Sequence, residues 1–223
     1  MPFTPQQFLD VFAAYNEAVF PMQVVLLVAA LLSIRLAANG ASKTTAAILS
    51  FLWLWMGVVY HWLFFTQING MAYVFGAGFV LQSVALFYSG VVTEKLSFGR
   101  QGGIRAWVGT SLIVYALLIY PLIGIATGHP YPYGPTFGLP CPTTIFTIGL
   151  LLRSGRKMPG YLLVIPVLWS LVASSAAYLL GVWEDFVLLI AAGSVVWLVM
   201  STRVPFRFHP ARLGLTPTHV EPK

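Results

Sequence analysis

Every lysine and arginine of this chain falls in alternate connections between apolar runs, and few folds are compatible with that placement. The apolar runs lie near residues 19–38, 44–66, 70–92, 104–127, 137–152, 160–181 and 186–202. Arg35 and Lys43 flank the first connection, Lys95, Arg100 and Arg105 the third, and Arg153, Arg156 and Lys157 fill the fifth. Arg203, Arg207, Arg212 and Lys223 form the tail, while the opposite side carries Asp10, Glu17, Glu184 and Asp185. Crossing hydrocarbon takes roughly 20 helical residues, so most runs are long enough and the fifth is short. The positive-inside rule then predicts an outer amino terminus and a cytoplasmic carboxyl terminus. Omitting the fifth run would put Arg156 and Lys157 on the side of His129, so the charge partition calls for seven spans.

Composition removes the soluble alternatives. Hydrophobic residues make up 58% of the 223, and charged residues only 8%. So few charges cannot coat a water-soluble globule, which normally carries about a quarter. The expected fold is an all-α polytopic membrane bundle in a bacterial cytoplasmic membrane, with the lipid bilayer as its first partner. The net charge of +6 reads as a topology signal, not as a nucleic-acid surface. The first apolar run lacks a preceding positive region, so no secretory signal peptide is expected. A single cysteine excludes an internal disulfide and a Cys-rich metal cage.

The chain divides into a bundle over residues 1–203 and a basic, Pro-rich tail over 204–223, expected to be mobile, whose His209 and His219 lack partners at ligand spacing. The head suggests an interfacial helix over about 4–18. Thr4 is its cap, Pro5 its first residue and Gln7 completes a capping box. Pro21 then bends the chain into the first span. Small residues in FGAGF (75–79) should let a neighbouring helix approach, and Ser170, Ser174 and Ser175 read as packing contacts. Pro121 should kink the fourth span. Trp53 and Trp55 lie too deep for an interfacial belt. Glu184 and Asp185 read as a solvated cap on the last span, which leaves no obvious ionisable side chain in the membrane apart from His61.

His61 at that depth needs a partner or water. The connection GHPYPYGPTFGLPCP (128–142) is too Pro-rich for helix and too apolar for a solvated loop. It is expected to re-enter the outer mouth of the bundle. The fifth helix would start at Pro142 with Cys141 near its cap and Thr143 and Thr144 in its first turn. Such a broken helix suits a central binding site, with N–H groups and hydroxyls offered to an anion or carbonyl. Cys141 keeps three readings: a small buried hydrophobe, a contact or soft-metal ligand with His61, or a nucleophile with His61 as base. Asn16, Glu17, Asn69 and Asp185 are expected at the outer surface, available to complete a site.

The blocks AAYNEAVFP, WLWMGVVYHWLFF, IYPLIG and PTFGLPCPTTIFTIGLLL resemble those of an uncharacterised family of small bacterial multi-span proteins, often labelled transporter permeases. The resemblance covers most of residues 3–200 and implies transport only through that label. The last span has no lysine to hold retinal, so a rhodopsin is excluded. The expectation is a pocket open to the outer side that binds or translocates a small solute or ion, more a carrier than an enzyme. His61, Tyr60, Cys141, Thr143, Thr144, Tyr131, Glu17 and Asn69 would form it. An intramembrane enzyme using Cys141 and His61 or a metal, and a seven-span sensor or assembly subunit, remain as alternatives. Cofactor, metal and self-association stay open.

Overall fold

Each apolar run is helical. The computed structural model describes residues 2–155 and 158–203, the last six as backbone only. Helix α1 spans Pro5–Val19, α2 Met22–Ala38, α3 Ser42–Gln67 and α4 Ala72–Val92. Helix α5 spans Gly103–Ala126, α6 Pro140–Leu152, α7 Gly160–Leu180 and α8 Val187–Arg203. The described residues contain no strand. Four helices, α3, α4, α5 and α7, are long and apolar enough to cross a membrane, and α1 with α2 makes a fifth candidate bent by 86°. Helix α6 has 13 residues and α8 has 17. Leu31, Val74, Leu81, Leu118, Leu122 and Leu168 all point outward, each more than half exposed. Water makes such a surface unfavourable and hydrocarbon does not. The expected tail, with His209 and His219, and the pair Arg156 and Lys157 lie outside the described residues.

Local chemistry explains the helix ends and irregularities. Gln7 N donates to Thr4 Oγ1 at 3.2 Å and Thr4 N donates to Gln7 Oε1 at 2.8 Å, so the capping box closes at the start of α1. Pro21 has no N–H to continue that helix, and the chain turns sharply there. In α5, Pro121 removes another helical donor, and the turn just before it, Tyr115–Ile119, widens to π geometry. That widening brings Tyr115 and Tyr120 together, ring centroids 6.1 Å apart. A longer π stretch, Met56–Phe64, ends α3 and contains His61.

Small residues set the two closest crossings. A Cβ on Gly57 would stand 2.9 Å from the Gly76 carbonyl, and one on Gly76 would collide with the Trp62 indole. So α3 and α4 meet at Gly76 of FGAGF, whereas Gly78 faces open space. Gly109 and Gly149 play the same part between α5 and α6. Helix α6 is the centre of the bundle: every residue in it except Cys141 is buried. It begins at Pro140, two residues before the expected Pro142, because a proline without an N–H fits the first helical turn. Thirteen residues rise only about 20 Å.

Connections gather at two ends. At one, Phe98 N donates to Ser42 Oγ at 2.8 Å and Gly155 N to the Ser97 carbonyl at 2.8 Å. Arg35, Lys43, Lys95, Arg100, Arg105 and Arg153 belong to these connections or the helix ends beside them. The Lys43–Glu94 pair at 3.0 Å is mostly exposed and contributes little to stability. At the other end lie α1, the segment 127–139 and the turn Trp183–Phe186. Two expectations fail there. Glu184 and Asp185 do not form a solvated cap, being 0% and 5% exposed, because Tyr115 and Tyr120 draw their turn inward. Asn16 is fully buried, not at the surface, because it bonds the Pro-rich segment.

Candidate functional site

Asn16 organises the Pro-rich segment. Its Nδ2 donates to the carbonyls of Pro132 at 2.5 Å and Gly134 at 2.8 Å. Its Oδ1 accepts from Gln23 Nε2 at 2.6 Å and from the Thr136 hydroxyl at 2.8 Å. A segment with so many prolines has few N–H groups for its own carbonyls, and these side-chain donors supply partners for those of Pro132 and Gly134. Tyr15 donates to the Gly138 carbonyl at 3.3 Å and accepts from Trp55 Nε1 at 2.8 Å. Gly138 N donates to the Thr143 hydroxyl at 3.1 Å. Deeper still, Trp53 Nε1 donates to Thr147 Oγ1 at 3.0 Å. The deep tryptophans of α3 therefore fix α6 and the segment that leads into it.

Between α1, the end of α3, the start of α6 and α7 lies a cavity of about 230 Å³. Tyr60, Phe65, Phe75 and Trp169 form its aromatic wall, and Phe3, Phe8 and Phe12 close it from the α1 side. The aromatic packing is tight: Tyr60 stacks on Phe65 at 5.7 Å, and Phe75 meets Trp169 edge-on at 5.5 Å. Among the described residues Asp185 is the one charged side chain in the lining, beside half-buried Cys141. The Tyr120 hydroxyl donates to Asp185 Oδ1 at 2.5 Å. Asp185 lies in the turn between α7 and α8, outside the apolar helices. Burial pushes its carboxyl up to about 7, the donors Tyr120 and Cys141 pull the other way, and the Glu184 charge adds to the rise.

A second cavity of about 210 Å³ lies on the other side of Tyr120, lined by Gly124, His129, Tyr131, Thr136 and Pro142 among others. Tyr120 lines this cavity and bonds the carboxylate of the first. Pro135 contributes to both. Glu184 lies against Gly124 with neither carboxylate oxygen hydrogen-bonded.

Of the residues expected to form a site, Tyr60, Cys141 and Asn69 line the first cavity. His61 stands one layer behind it, its ring 5.2 Å from Trp169 and 4.5 Å from Phe79. Its Nδ1 lies 2.9 Å from the Met56 carbonyl, which can only accept, so Nδ1 carries the proton and Nε2 has no partner. Tyr131 lines the second cavity and donates to the Asn16 carbonyl at 3.2 Å. Thr143 and Thr144 are fully buried in α6 and line neither cavity, and Glu17 is exposed. Ser174 donates to the Asp185 carbonyl at 3.5 Å, whereas Ser175 lines the cavity. Sequence reasoning missed Asp185, Tyr120 and Trp169 as one group. The available signal was the five-residue spacing of Tyr115 and Tyr120 just before Pro121, which places both hydroxyls on one side of a π turn.

Among the described residues, no three His, Cys, Asp or Glu side chains converge as a metal site would require. A family of unknown function (DUF6064) matches residues 5–210. No curated protein and no solved structure matches the chain.

Proposed function

We propose that this chain, which belongs to that family of unknown function, is a solute-binding protein of the bacterial cytoplasmic membrane. In this reading seven helical segments, α2 to α8, cross or partly cross the bilayer, and the Pro-rich segment 127–139 re-enters it ahead of the short helix α6. The amino terminus and the first cavity face outward, and the basic connections face the cytoplasm. The bonds from Phe98 to Ser42 and from Gly155 to Ser97 support this topology, because they tie the first, third and fifth connections together at one end. An impermeant maleimide tests it in a Cys141→Ala background. Gln67→Cys is expected to label in intact cells, and Lys95→Cys only after permeabilisation. The reverse pattern overturns the orientation.

The observation that carries the binding reading is the aromatic cavity under α1, whose lining includes a carboxylate, Asp185. Pockets for small molecules are mostly apolar with a few placed polar groups, and this one has that make-up. The solute is held there by apolar and aromatic contact, with Asp185, Cys141 and Tyr60 at the polar end. Helix α1 rests on the cavity through Phe8 and Phe12, with Phe3 just ahead of it, so it is the element that opens for entry. The neutral fluorophore N-phenyl-1-naphthylamine serves as probe. One saturable site per protein above the background of empty lipid discs is expected, weakened at least tenfold by filling the cavity with Ala176→Trp. Equal binding by that variant removes the cavity from the argument.

A further inference from the structure

The cavity combines three features that select one charge type. Three helices contribute aromatic side chains to its wall: Tyr60 and Phe65 from α3, Phe75 from α4 and Trp169 from α7. One carboxylate, Asp185, lines it, and among the described residues no lysine or arginine does. Behind that carboxylate lies a second one, Glu184, fully buried with both oxygens unpartnered, so the nearest interior charge is also acidic. His129, the basic side chain beside Glu184, lines the second cavity, so among the described residues no basic side chain stands with Asp185 in the first. An anion would meet the acidic end with no countercharge, and a neutral apolar solute would leave Asp185 unused. An aromatic wall attracts cations through the negative faces of its rings, most strongly where water is excluded.

We propose that the solute of this cavity is an organic cation, an amphiphilic or quaternary amine whose apolar part lies against the aromatic wall and whose positive centre faces Asp185. This rests on the solute-binding reading above and specifies its ligand class. The Tyr120 hydroxyl donates to Asp185 Oδ1 and Cys141 lies beside the same carboxylate, so two side chains hold it in the cavity lining. A quaternary centre donates no hydrogen bond, so charge and ring faces are sufficient to recognise it. Primary amines would add a hydrogen bond to the carboxylate.

The pH dependence follows from the groups around Asp185. Tyr120 from α5, Cys141 from α6, Tyr60 from α3 and Glu184 from its own turn face it, with Tyr115 close by and His129 beside Glu184. A permanent cation binds the ionised carboxylate. With the empty site titrating at about 7, affinity is full above that pH. It falls as the pH drops through that value, by up to about tenfold per unit.

The test compares benzyltrimethylammonium with its uncharged isostere neopentylbenzene by equilibrium dialysis against the full chain in lipid discs. The cation is expected to bind at least about tenfold more tightly than the isostere above pH 7, with the gap narrowing at acid pH. Asp185→Asn should reduce the gap to near unity while the isostere still binds. Equal affinities in the wild-type protein at high pH overturn the cation class and leave the cavity reading standing. Failure of both probes to bind overturns both readings. Cation binding that survives Ala176→Trp places the cation elsewhere and also overturns the proposal. The wild-type comparison and its pH profile decide the matter even if Asp185→Asn does not fold.

Discussion

Replacing Gly149 by alanine is expected to lower stability by roughly 2–3 kcal/mol, a large effect for one methyl group. The added Cβ would stand 2.7 Å from the Gly109 carbonyl, 2.9 Å from Ile113 Cγ1 and 3.1 Å from the Ile113 amide nitrogen. Two of these neighbours are backbone atoms of α5, which no side-chain rotation can move aside. Helix α6 has no freedom to retreat, because its other faces are also buried. The strain would therefore separate α5 from α6 and loosen the turn held by Tyr115 and Tyr120. Gly78→Ala is the matched control. Nothing lies within 4 Å of a Cβ there, so the better helix propensity of alanine should make it neutral or slightly stabilising. Unfolding midpoints of both variants in a mild detergent check the pair. A Gly149→Ala midpoint equal to that of Gly78→Ala would show that the α5–α6 crossing tolerates separation.

The helical segments were legible because long apolar runs bounded by polar residues read directly as apolar helices. The run boundaries near 44–66 and 70–92 match α3 and α4 closely, and the capping box at Thr4 and Gln7 forms as its residue spacing requires. The contact at Gly76 was legible from FGAGF, but its partner Gly57 was not, since a single glycine in an apolar run carries no signal of what crosses it. The candidate site was only partly legible. Cys141 and Tyr60 were expected near one another and both line the first cavity. Asp185 was assigned to water because acidic residues at a span end usually meet it. What draws it inward is a hydroxyl from Tyr120, 65 positions away, set in place by a π turn. Likewise the threonines after Cys141 looked like ligand donors. In the fold Thr143 accepts from Gly138, and Thr147, bonded by the Trp53 indole, donates to the Thr143 carbonyl. Local sequence presents a hydroxyl's chemistry but not its partner, and partners at this range are set by tertiary packing.

The same logic makes Asn16→Ala the most disruptive single polar substitution, with an expected loss of about 4 kcal/mol. The magnitude comes from what is left behind. The carbonyls of Pro132 and Gly134, the Gln23 amide and the Thr136 hydroxyl would all lose a partner, two of them in a fully buried place and two in a partly buried one. Each unmet group costs about 1–3 kcal/mol, reduced here because Gln23 and Thr136 still bond each other at 3.1 Å. Water can rescue the carbonyls only if residues 131–138 swing outward. That movement would carry Pro135 away from both cavities, because Pro135 lines each of them. The variant should therefore show a lower unfolding midpoint, faster amide exchange over 133–139 and weaker binding of N-phenyl-1-naphthylamine. Asn16→Asp retains the two accepted bonds but loses both donated ones, so it should recover less than half of the stability. Unchanged exchange in Asn16→Ala would mean that Tyr15, through its bond to Gly138, holds the segment alone. The polar half of the AAYNEAVFP block would then have no structural task.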